Sequence, residues 1–99
     1  MSYDILFHPQ AEKEYLEAFD WYEKQQNGLG VRLEYFIDKQ LNKIKLYPEF
    51  YPLKHLGLRE CKTEVFPYLI VYKFYEERSL VYITAIFHTS RNPVRKYRR

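Results

Sequence analysis

Cysteine is almost absent. Cys61 stands alone in 99 residues, so no disulfide can close within the chain and no cysteine-based zinc site can be built. A reducing cytoplasm is the expected setting. Glycine is scarce too, at three residues, and no glycine-rich phosphate loop exists; "GLG" at residues 28–30 reads as a turn. Apolar runs are short. None approaches the roughly 20 residues that span a bilayer, so no membrane partner is expected. Residues 3–7 are too short for a secretory leader and charges follow them, so none is expected. The histidines, His8, His55 and His88, show no metal-ligand spacing. Neither a metal nor any other cofactor is expected. A chain of this length is expected to make one domain over residues 1–99, with one core and little left for a deep cleft.

What the chain does have is tyrosine, eleven of them. That is more than so small a core can hold, so several rings are expected at the surface, where amphipathic rings suit partner binding. The charge is also divided. Residues 1–50 carry six Lys/Arg against nine Asp/Glu, a net −3, and residues 51–99 carry ten against four, a net +6. A basic half favours a polyanion or an acidic protein as partner.

The hydrophobic period changes once along the chain. Residues 3–7 alternate weakly and read as a short strand. His8-Pro9 breaks it, and proline suits the first turn of a helix. Over residues 9–26, Ala11, Tyr15, Ala18, Phe19 and Tyr22 share one helical face. "NGLG" turns the chain, and Leu33, Phe36, Ile37, Leu41 and Ile44 stripe a second helix over residues 29–47 until Pro48 stops it. After a loop, residues 58–65, 68–75 and 80–88 read as strands, with a turn at residues 76–79. In the last two, both alternating faces are apolar. Val81, Ile83, Ala85 and Phe87 are expected on one face and Leu80, Tyr82 and Ile86 on the other. Such strands sit mid-sheet. The helix hairpin covers one face, and the other, or its rim, is expected to be left for another protein.

This β-α-α-β-β-β order carries specific landmarks. "PQAEKEYLEAFDWYEKQQNGLG", "PEFYPLKHLGLRE", "VFPYLIVYKF" and "AIFHTSRNP" together resemble the RelE/ParE superfamily, the toxins of type II toxin–antitoxin modules, over nearly the whole chain. "FPY-x-I-x-Y", and a strand ending in His followed by Arg and Pro, look most like the ParE branch. The resemblance implies an α+β fold of two layers, with the helix hairpin packed on one face of an antiparallel sheet. It implies a cognate antitoxin that masks the toxin in a hetero-oligomer. For the ParE branch the implied target is DNA gyrase or a related topoisomerase.

The RelE branch is similar in fold but cleaves mRNA on the ribosome, and that reading stays open, as does a degenerate member that only binds an antitoxin or nucleic acid. RNA cleavage needs a base, an acid and cations at the developing phosphorane charge. His88 matches the position where some RelE-like nucleases carry a catalytic histidine. Arg91 falls near the family's C-terminal arginine and Tyr97 near its tyrosine. Lys54, Arg59, Arg91, Arg95, Lys96, Arg98 and Arg99 are the candidates for binding a target or nucleic acid. Two departures speak against cleavage. Leu69 stands where those nucleases place an arginine, in "YR-x-V-Y". Their glutamate base would fall at Tyr51, two residues from Glu49. Losing a main phosphate clamp removes several kcal/mol of transition-state stabilisation, on the order of one strong donor. Each candidate also has a plain reading. His88 would hydrogen-bond at a strand end, Arg59 would guard a sheet edge, and the basic tail would simply be solvated.

Overall fold

The structure, a computed structural model, describes residues 3–91 and Tyr97. β1 (Asp4–Phe7) leads to α1 (Pro9–Gln25), whose first turn is capped when His8 Nδ1 accepts the Gln10 N–H at 3.0 Å. α2 (Leu29–Leu46) returns antiparallel to it. The turn between them needs Gly28 in the left-handed region (φ 88°). α2 has no side-chain cap of its own. Instead the Glu23 carboxylate reaches across from α1 and accepts the Gly28 and Gly30 N–H groups, both at 2.9 Å. At Gly30 a Cβ would lie 2.6 Å from the Phe19 carbonyl oxygen, so only glycine lets the helices meet there. Tyr15 ties the pair further along, donating to Asp38 at 2.9 Å.

The bonds at the start of α2 lower the Glu23 carboxyl below the ordinary value of 4.5, chiefly through the Gly28 N–H. A carboxyl lowered in the folded state contributes stability that is whole above its unfolded value and is lost as pH falls through its folded one. The expected result is a melting-temperature difference between wild type and Glu23→Gln that is constant at neutral pH and shrinks below about pH 4.5. A difference independent of pH would leave Glu23 no role as a charged cap.

β2 (Arg59–Lys62), β3 (Tyr68–Tyr75) and β4 (Leu80–His88) complete a four-stranded sheet in the order β1-β4-β3-β2. β2, β3 and β4 pair antiparallel as expected, but β1 joins β4 in parallel, so the sheet is mixed. β2 stops at Lys62, short of the expected residue 65. There Thr63 Oγ donates back to the Phe66 carbonyl at 2.8 Å, and the Phe66 N–H closes a three-residue turn on Glu64 across Val65 (φ 70°).

The main core lies between the helices and the sheet. Leu33, Ile37 and Ile44 from α2 and Ala11 and Ala18 from α1 pack on Ile70, Tyr72, Val81, Ile83 and Ile86. The placement of Ile86 corrects the sequence reading. Val71 opposes Ala85 while Tyr72 opposes Ile83, so Thr84 is an extra residue, a bulge. One inserted residue inverts every later side chain. Ala85 and Phe87 therefore leave the face of Val81 and Ile83, and Ile86 and His88 turn toward the helices. The expectation of a bare outer face is also corrected. Val71, Ala85 and Phe87 are buried there with Leu58, and Leu69 and Tyr97 pack against them.

Candidate functional site

β1 ends at Phe7, so β4 beyond Ile83 has no strand beside it on that side; α1 lies there instead. The Glu14 carboxylate accepts the Ile86 N–H at 3.1 Å. Between α1 and the end of β4 runs a groove of about 500 Å³, whose lining includes Glu14, Glu17, Trp21, Tyr68, His88 and Arg91. It carries charges of both signs. Burial pushes the Tyr68 hydroxyl up to about 12.

His88 sits at this groove with its ring edge-on to Tyr68, centroids 5.1 Å apart. Its Nδ1 accepts the Ser90 N–H at 3.1 Å and lies 2.6 Å from Ser90 Oγ. An amide N–H can only donate, so Nδ1 holds a lone pair and the ring proton is on Nε2. The Arg91 N–H then closes the turn on the His88 carbonyl at 3.0 Å. In this arrangement Nδ1 is engaged by Ser90, and His88 organises the turn after β4 just as His8 organises the start of α1.

Tyr97 lies elsewhere. It packs on the outer face with Leu58, Val71, Ala85 and Phe87, and its hydroxyl donates to the Glu60 carboxylate. Its ring centroid is 5.4 Å from that of His55. His88 and Tyr97 are therefore on opposite faces of the sheet. Arg59 is committed as well, with Nη1 donating to the Tyr51 carbonyl at 2.7 Å and the Glu49 carbonyl at 3.3 Å. Leu69 is half-buried on the outer face, where it offers no donor. Lys54 is exposed on the loop before β2. The structure thus brings His88 and Arg91 together but joins neither to Lys54, Arg59 or Tyr97. Arg95, Lys96, Arg98 and Arg99 lie outside the described residues.

Two carboxylates at these sites were missed by sequence reasoning. Glu60 alternates onto the outer face opposite Val71, a placement its position in β2 could have signalled. Glu14 carried no local signal, because its partner Ile86 is 72 residues away. Cys61 is buried, and desolvation pushes its thiol up to about 11, which leaves it unreactive near neutral pH. Among the described residues, no three His, Cys, Asp or Glu side chains gather where a metal could be held, and no helix is long and apolar enough to cross a membrane.

A helix hairpin laid on a four-stranded mixed sheet is an α+β architecture with solved members. The chain matches the family described as ParE toxin of type II toxin–antitoxin system, parDE, over residues 5–93, and it belongs to that family. It is a type II toxin–antitoxin toxin of ParE/RelE fold. A chromosomal ParDE toxin–antitoxin system from P. aeruginosa superposes with a TM-score of 0.76 at 13% identity, covering 90% of this chain and 98% of that one. The intact E. coli RelBE toxin–antitoxin complex gives a TM-score of 0.66 at 20% identity, covering 91% and 100%. A mutant of E. coli toxin RelE in the free state gives 0.65 at 19%, covering 91% and 86%. No curated protein sequence matches.

Proposed function

We propose that this toxin stops growth by binding its target rather than by cutting RNA, and that the target is DNA gyrase or a related topoisomerase in the cytoplasm. The separation of His88 from Tyr97 by the whole sheet carries this reading. A general acid and base must both reach one scissile phosphate. Two further features support it. Arg59, at the start of β2, donates through Nη1 to two loop carbonyls, and Leu69 stands where a phosphate clamp would be needed. The neighbours that are toxin–antitoxin complexes support a cognate antitoxin, held with this chain in a hetero-oligomer and masking its basic half.

The test is induction of the chain alone and together with the small protein encoded beside it. The expected result is growth arrest with an SOS response and intact transcripts, reversed by the neighbour. Codon-specific mRNA cleavage in a purified translation system, lost in His88→Ala, would replace this reading with the ribosome-dependent one.

A further inference from the structure

We infer that Asn27 is a site of self-modification: the Gly28 nitrogen converts its side-chain amide to an aspartyl or isoaspartyl acid, and the Glu23 carboxylate sets how fast. The chain has three asparagines, Asn27, Asn42 and Asn92. Proline follows Asn92, and its nitrogen has no proton to give up. Asn42 lies inside α2, where the helical backbone is fixed, and a lysine follows it. Asn27 differs from both. It is exposed in the turn between the helices, and glycine follows it. Gly28 has no Cβ to crowd an approach to its nitrogen. A Cβ built there would itself meet nothing within 4 Å, so the turn is open on that side. The carboxamide has room to fold back over its own backbone.

The chemistry needs only water from outside. The Gly28 nitrogen gives up its proton and attacks Asn27 Cγ. The new N–Cγ bond closes a cyclic imide while the Cγ–Nδ2 bond breaks. The side-chain amide takes the proton and leaves as ammonia. Water then opens the imide. Hydrolysis at Cγ gives aspartate. Hydrolysis at the main-chain carbonyl gives isoaspartate, which adds a methylene to the backbone between Gln26 and Gly28.

The first step needs the Gly28 nitrogen without its proton, and that N–H is the one Glu23 holds, at 2.9 Å. A hydrogen bond to a charged acceptor must be broken before attack. The carboxylate also disfavours a second negative charge on the nitrogen beside it. Glu23 is therefore a brake, and its bond to the Gly30 N–H, also at 2.9 Å, keeps it in place. The contact that fixes the start of α2 thus protects the amide, and opening of the turn releases both. The isoaspartyl product cannot restore the turn. Its lengthened backbone displaces the Gln26 carbonyl from the Leu29 N–H, now bonded at 3.0 Å. A modified chain stays loosened at the hairpin, whatever the toxin's target.

The test is incubation of the full chain at mildly alkaline pH, followed by peptide mapping with mass spectrometry. Conversion is expected at residue 27 and not at residues 42 or 92. Glu23→Ala should speed it by about tenfold or more. Tyr15→Phe controls for a loosened hairpin: it loses the Asp38 bond between the same two helices and leaves Gly28 alone, so it should convert at the wild-type rate. The isoaspartyl fraction should melt below Asn27→Asp, which carries the new charge without the added methylene. No conversion at residue 27 in Glu23→Ala overturns the inference. So does an unchanged rate in that variant, or a slower one, which would make the carboxylate a base rather than a brake. Equal acceleration in Tyr15→Phe also overturns it, by assigning the rate to general loosening of the helices.

Discussion

Ending the chain after Asn92 abolishes growth inhibition, and His88→Ala leaves it intact; this is the outcome expected of a toxin that works by binding. The truncation removes Arg95, Lys96, Arg98 and Arg99, four of the sixteen Lys/Arg, together with Tyr97. Clustered cations raise both encounter rate and affinity for a negatively charged target complex. Tyr97 complicates the reading, because it closes the outer face over Val71 and Phe87 and bonds Glu60. A fourfold variant with glutamine at the four basic positions therefore belongs beside the truncation, since it keeps the tyrosine. Loss of toxicity in both variants assigns the effect to charge. Loss in the truncation alone assigns it to the packing of Tyr97. His88→Ala removes the acceptor for Ser90, worth about 0.5–1.5 kcal/mol, and the ring that lies edge-on to Tyr68. Were His88 a proton-transfer group, the same change would cost roughly 10²–10⁴ in cleavage rate. A colony-forming assay separates these outcomes without purification, and a harmless His88→Ala protein at normal abundance would sink the binding mechanism.

Tyr72→Ala is expected to unfold most of the population. Tyr72 is the largest of the fully buried side chains and sits mid-sheet under α2. Truncating a buried aromatic costs about 3–5 kcal/mol. A small domain has only about 5–15 kcal/mol in total. Tyr72→Phe keeps the ring but strips the Pro48 carbonyl of its buried donor, at about 1–3 kcal/mol. Urea titration should therefore rank the midpoints wild type, then Tyr72→Phe, then Tyr72→Ala. Equal midpoints for the two variants would mean that the ring contributes no packing and that the hydroxyl alone matters.

Much of the fold was legible before the structure. The helix stripes at Leu33, Ile37, Leu41 and Ile44 and the bounds of β3 and β4 follow from local periodicity. The candidate site was legible only as a set of residue types. Spacing suggested that His88, Arg91 and Tyr97 could act together, but chain neighbours after a strand can return along either face of a sheet. Arg59 looked like an exposed edge charge, and the carbonyls of Glu49 and Tyr51 that occupy it belong to a loop whose path no pattern revealed.

By itself the sequence determined the order of the elements, the amphipathic helix faces and the split of charge between the two halves. Each of these depends on residues within a few positions of one another, or on a simple count. Only the tertiary structure decided which face each residue after Ile83 occupies. Strand alternation has a period of two, so a single unpaired residue reverses it, and nothing local to Thr84 declares a bulge; the hydrogen-bonded register with Val71 and Tyr72 does. That one residue turns His88 toward α1 while Tyr97 closes the opposite face.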